Sequence, residues 1–149
     1  MLDKNKPFLI AEIGINHGGS LSQAKKLIDK AKLAGADAVK FQTYKSERRV
    51  SKKSPIFHIL KKCELSYDDF YKLKKYIDKK NIIFFSTPFD TDAVKFLKKI
   101  QVKFIKIASF DISNYKLIRE ILKTKIPTII STGMASLKEI ETINKMYSL

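Results

Sequence analysis

Short apolar runs alternate with amphipathic stretches along this chain. FLIAEIGI (8–15), DAVKFQ (37–42), NIIFFSTPFD (81–90, halted by Pro88), VKFIKIAS (102–109) and PTIISTGM (127–134) predict five strands that are apolar on both faces. Between them, apolar residues recur at helical spacing. Leu21, Ala24, Leu27, Ile28 and Ala31 follow a Ser20 cap and stop at Gly35. Phe70, Leu73, Tyr76 and Ile77 follow Ser66, with Asp69 at the capping-box position. Ala93, Val94, Phe96, Leu97 and Ile100 make a third helical face, and Leu117, Ile118, Ile121 and Leu122 a fourth. Ser136 and Glu139 form a second capping box, opening a helix through Leu137, Ile140 and Ile143. The connection from Lys45 to Ser54 is polar and basic, with a short helix expected over 56–62. Five strand–helix units in succession imply a parallel sheet covered by helices. A doubly wound sheet and part of a (β/α)8 barrel both satisfy the pattern.

Composition narrows the class. At 149 residues, 44% apolar and 11% aromatic, the chain reads as one globular domain with enough length for a sizeable core. The net charge of +15 invites a nucleic-acid reading, but the only arginines are Arg48, Arg49 and Arg119. The lysines scatter along solvent-facing helix positions such as Lys25, Lys26, Lys72, Lys75, Lys98 and Lys99, without the arginine forks and interleaved aromatics of a phosphate-tracking surface. The first twenty residues carry charges and no long apolar stretch, so neither a signal peptide nor a membrane span is expected. Cys63 is the single cysteine, which excludes an internal disulfide and fits a reducing cytoplasm, and it reads as a passive residue.

The candidate chemistry lies at the C-terminal ends of the strands. Lys40 stands between Val39 and Phe41, and Lys106 between Ile105 and Ile107. An unpaired ammonium in such surroundings is costly, so both call for an anionic partner. Polar groups recur at every strand end: Glu12 and Asn16, Lys40 and Gln42, Ser86 and Thr87, Lys106 and Ser109, Ser131 and Thr132. Strand parity puts Glu12, Gly14 and Asn16 on one face and Ala38, Lys40 and Gln42 on one face. The carboxyl ends of strands are where both architectures build ligand sites. Two lysines with short hydroxyl donors describe a pocket for a multiply charged oxyanion, most simply a phosphate, with Glu12 beside it as acid, base or ligand. The plainer alternative is a buried ionic network in which Lys40 and Lys106 pair with Glu12 and Asp111. EIGINHGGS has three glycines, Gly14, Gly18 and Gly19, at neither dinucleotide-loop nor P-loop spacing. His17 could touch substrate or serve a structural hydrogen bond, and His58 reads as helix surface or core.

EIGINHGGSLSQAKKLID, GADAVKFQTYK, STPFD, KIASFDISNYKLI and PTIISTGM, in this order and at these intervals, resemble the sialic acid synthases, the N-acetylneuraminate synthase-type enzymes of bacterial surface-polysaccharide biosynthesis. The likeness runs from about residue 8 to residue 141. It implies a (β/α)8 barrel that condenses phosphoenolpyruvate with N-acetylmannosamine or a related acylamino sugar and releases phosphate, a cytoplasmic transferase assisted by a divalent metal, Mn2+ or Mg2+. Position by position, Lys40, Thr87, Lys106, Ser109 and Ser131 resemble the phosphoenolpyruvate contacts. Gln42 and Asp111 resemble groups that meet the sugar, and Glu12 the carboxylate beside the reacting carbons.

A whole barrel needs eight units in ~250 residues, and this chain offers five. Residues 1–149 are therefore expected to be the N-terminal portion of such a barrel. The family's metal-binding histidines, its remaining strands and its C-terminal antifreeze-like domain then fall outside this chain, and a homodimer is expected of the complete enzyme. Phe110 stands where the family often has glycine. Relatives that make legionaminic or pseudaminic acid share these motifs, and the EIGINH and STPFD forms favour the neuraminate-like branch over the pseudaminic one. Two other functions compete: a Schiff-base aldolase-type barrel using Lys106, and a binding module that holds phosphoenolpyruvate without turning it over.

Overall fold

The structure, a computed structural model, describes residues 6–148; the expectation of no leader at the extreme N-terminus thus lies partly outside the described residues. Five strands, β1 (Ile10–Gly14), β2 (Ala38–Thr43), β3 (Ile83–Pro88), β4 (Ile105–Ile107) and β5 (Thr128–Ile130), form one parallel sheet in the order β1-β2-β3-β4-β5. A doubly wound sheet reverses its strand order at a switch point. Here the order never reverses, so the sheet is that of a (β/α)8 barrel in part.

The helices follow their predicted faces. α1 (Leu21–Leu33) is capped by the Ser20 side chain, and Gly35 beyond it takes φ +85. α3 (Phe57–Lys62) is the expected short helix; α4 (Tyr67–Asp78) begins with the full Ser66–Asp69 capping box and α7 (Leu137–Tyr147) with that of Ser136 and Glu139. α5 (Thr91–Lys99) is capped by Asp90 and α6 (Tyr115–Leu122) by Asn114. One helix was not expected: α2 (Ser46–Arg49), a single turn inside the basic connection. β4 and β5 are shorter than their apolar runs, because the chain leaves the sheet at Ala108 for a 3-10 turn at Ser109–Asp111 and at Ser131 for the loop into α7.

The core lies between one face of the sheet and the helices. Val39, Phe41, Phe84, Ile105 and Ile107 point outward into it and meet Ile28, Phe70, Leu73, Leu97 and Ile118. Phe41 and Phe70 meet edge to face with ring centroids 6.2 Å apart. Thr43 and Ser86 also point outward, and their buried hydroxyls satisfy each other at 2.8 Å. The opposite face carries Ala38, Lys40, Gln42, Phe85 and Thr87, paired across β2 and β3 as Lys40 with Phe85 and Gln42 with Thr87. Phe85 packs against Phe104 at 5.9 Å, and Phe104 against Phe8 at 6.3 Å. These rings fill the inner face and leave the polar residues at the carboxyl rim.

Candidate active site

Each rim residue is aimed by its place in a strand. Glu12 on β1 is the cross-strand partner of Lys40 on β2, and their side chains meet with Oε2 2.9 Å from Nζ. Lys40 also donates to the Thr87 hydroxyl on β3 at 3.1 Å. Lys106, the inward residue of β4, donates to the Ser131 hydroxyl just past β5 and to its neighbour's carbonyl, Ile107 O, at 3.1 Å. Burial lowers the Lys106 pKa below the ordinary lysine value; the nearby Lys40 charge lowers it further, and Glu12 partly offsets both. The two ammonium groups are therefore close enough to repel. Thr87 and Ser131 serve them as neutral partners, and the one carboxylate among these groups is shared by a buried cation and open solvent.

The ionic-network alternative is realised by half. Lys40 pairs with Glu12, but Asp111 does not join Lys106. Asp111 sits in the turn after β4, buried to 9% exposure. Asn114 Nδ2 donates to its Oδ1 at 3.3 Å, while Oδ2 is buried with no partner. Burial raises the Asp111 pKa, against the pull of Asn114 and the Arg49 charge.

Arg49 was not expected here. It ends α2, half-buried, and its Nη1 donates to Gln42 Oε1 at 2.9 Å. Its guanidinium carbon lies 3.8 Å from the Phe89 ring centroid and 4.7 Å from that of Tyr44. Phe110 stacks on Phe89 with centroids 5.9 Å apart and is 53% exposed. α2 is held in place by Glu64. The Ser46 N–H and hydroxyl each donate to Glu64 Oε2 at 2.8 Å, and Lys45 donates to Oε1 at 3.0 Å. No local pattern in the sequence announced this anchor, because Glu64 and Ser46 are joined only through the fold.

Of the polar groups expected at the strand ends, Ser86 faces the helix side, where its hydroxyl meets that of Thr43, and Asn16 falls outside its strand. β1 slips register between Glu12 and Gly14, and Gly14 takes φ +57. Asn16 consequently leaves the strand for a turn, its N–H donating to Ile13 O at 3.0 Å. His17 is 2% exposed and lies on the helix side against Phe41, ring centroids 5.8 Å apart, accepting the Gly19 N–H at Nδ1. Burial lowers its pKa, with Gly14 partly opposing. His17 is thus a loop-packing residue. Among the described residues no three His, Cys, Asp or Glu side chains gather as a metal ion would need.

A family model described as the NeuB family matches residues 27–148. The chain belongs to the NeuB family. It is 46% identical, over 92% of its length, to an uncharacterized protein of Methanocaldococcus jannaschii, covering 41% of that protein. It is 40% identical to the N,N'-diacetyllegionaminic acid synthase of Legionella pneumophila, over 94% of this chain and 44% of that enzyme. The crystal structure of an N-acetylneuraminic acid (sialic acid) synthetase from Leptospira borgpetersenii, in complex with citrate, superposes with a TM-score of 0.92 at 43% identity, covering 97% of this chain and 51% of that one. The chain thus spans about half or less of the length of these NeuB-family relatives, whose named members are synthases of sialic-type sugars. Among the described residues no helix is long and apolar enough to cross a membrane.

Proposed function

We propose that this chain carries the phosphoenolpyruvate side of a nonulosonic acid synthase, an enzyme that joins phosphoenolpyruvate to an N-acylmannosamine-type sugar with release of phosphate. The observation that supports it is the convergence of Lys40 and Lys106 on one rim, with hydroxyls as partners and mutual repulsion that a dianion relieves. Lys40, Thr87, Lys106, Ser109 and Ser131 hold the phosphate and carboxylate. Gln42 and Asp111 meet the acceptor.

In this reading C3 of the enol forms a bond to the open-chain aldehyde carbon, whose oxygen takes up a proton. Water adds at C2, giving a tetrahedral intermediate that breaks its C–O bond to phosphate and leaves the 2-keto acid. Glu12, beside the reacting carbons, is the group that takes or returns protons there. The lysines act by holding the charge of the leaving phosphate in place. Calorimetric titration of the purified chain with phosphoenolpyruvate tests the proposal. Saturable binding that Lys106→Met abolishes is the expected result; a folded chain that does not bind, or a variant that binds as tightly as the parent, overturns it.

A second reading rests on the lowered Lys106 pKa, which raises the share of neutral, nucleophilic amine. An aldolase-type chemistry would then form a Schiff base with a keto substrate. Borohydride in the presence of such a substrate traps a covalent adduct on Lys106 in this case and none in the first.

A further inference from the structure

Beside the lysine pocket stands a second, unsatisfied pair of opposite charges. Arg49 is half-buried and has no carboxylate within ion-pairing distance among the described residues; one of its five N–H donors is spent on Gln42. Across from it, Asp111 Oδ2 is buried without any partner, and the two groups are near enough that the Arg49 charge acts on the Asp111 carboxyl. A buried charged oxygen left unbonded is costly, and its retention points to a ligand that completes it. The flanking surface is aromatic, with Phe89 under the guanidinium and Phe110 stacked on Phe89 and open to solvent.

A secondary amide fits such a gap. Its C=O and N–H point in opposite directions from one planar unit, so it accepts from a donor on one side and donates to an acceptor on the other. Its acyl tail is apolar and suits an aromatic face. We infer that Arg49 and Asp111 together read the acylamino group of the acceptor sugar, Arg49 donating to the acyl oxygen and Asp111 Oδ2 accepting the amide N–H, with the acyl methyl on Phe110. This inference rests on the synthase reading proposed above. It makes Arg49 a specificity-determining residue, held for that task by the Glu64 anchor on α2 and by the ring of Phe89.

The test compares N-acetylmannosamine with mannose, which lacks the acylamino group, as ligands of the chain saturated with phosphoenolpyruvate. The parent should prefer the acylated sugar by about tenfold or more, the scale of a hydrogen bond to a charged group. Arg49→Met and Asp111→Asn should each erase most of that preference, and Arg49→Lys should restore part of it, while phosphoenolpyruvate affinity stays within about twofold of the parent. An undiminished preference in Arg49→Met overturns the inference, as does failure of the parent to bind either sugar. If the chain discriminates the sugars through Arg49 but does not bind phosphoenolpyruvate, the amide site stands and the proposed phosphate pocket falls.

Discussion

Glu12 and Lys40 form an ion pair of unequal members: at 2.9 Å the ammonium is 8% exposed and the carboxylate 59% exposed. The buried partner is fixed by β2, whereas the exposed one can swing aside at little cost. An incoming phosphate competes with Glu12 for Lys40. Glu12→Gln removes that competitor, so it should bind inorganic phosphate a few-fold more tightly, matching the ~1 kcal/mol ceiling of partly exposed ion pairs. A phosphate titration of the variant checks this, and weaker binding would put Glu12 on the side of the anion's ligands.

Lys106 sets a pH limit on anion binding. Burial and the Lys40 charge lower its pKa, so it sheds its proton below the ordinary lysine value near 10.4. Phosphoenolpyruvate affinity should fall as pH rises through that lowered value, and Lys40→Met should move the fall to higher pH. Stability runs the opposite way. The unfolded chain holds this proton more tightly, so stability rises with pH between the lowered and the ordinary values. Lys106→Met should therefore leave the melting temperature within about 4 °C of the parent or above it. A large loss of stability would show that Lys106 holds the fold together.

The Glu64 anchor predicts an acid-side weakness. Burial alone would raise the Glu64 pKa, but the Ser46 N–H, the Ser46 hydroxyl and Lys45 outweigh it and hold the carboxyl at about 2, below its ordinary 4.5. A depressed carboxylate stabilises fully above its unfolded value, and that contribution is lost as pH falls from about 4.5 towards 2. Glu64→Gln should cost roughly 1–3 kcal/mol at neutral pH, measured as a lower urea midpoint, and should flatten the parent's decline below pH 4.5. It should also weaken acceptor discrimination, because α2 carries Arg49.

Two neighbouring glycines should respond differently to the same change. Gly18 has φ +56 and open space where a Cβ would stand, whereas at Gly19, φ +78, a Cβ would come within 2.1 Å of Lys62 O. Gly18→Ala bears only the left-handed backbone cost, about 1–2 kcal/mol. Gly19→Ala adds a collision with backbone that cannot rotate away, between the β1–α1 loop and the end of α3. Its loss should exceed that of Gly18→Ala clearly in thermal melts, and equal losses would mean that the end of α3 shifts freely.

Much of this arrangement was legible in the sequence, and the rest was not for definite reasons. Period and caps located the strands and main helices because each signal lies within a few residues: Ser66 and Asp69, or Leu117, Ile118 and Ile121. Parity put Ala38, Lys40 and Gln42 on one face. It failed for Asn16 because a register slip at Gly14 depends on the neighbouring strand. The choice between a doubly wound sheet and a barrel depends on strand order, which no local pattern encodes. α2 was invisible because it has no apolar stripe; Glu64 holds it from 18 residues away. Arg49 gave no local sign of a site, since Phe89 and Asp111 around it come from segments distant in sequence.

The unbroken strand order also bears on how the chain acquires its shape. Among the described residues each strand pairs with those of the preceding and following units, β1 with β2 through to β4 with β5. Among the described strands no pairing has to wait for a distant segment, so within these five units the entropy of loop closure is met in small, similar steps. A sheet of this kind can grow unit by unit as the chain leaves the ribosome, with α1, α4, α5 and α6 each covering their own strands on arrival. The rim chemistry assembles in the same order: Glu12 and Lys40 meet first, Thr87 joins with the third strand, and Lys106 gains Ser131 only when the fifth is laid down.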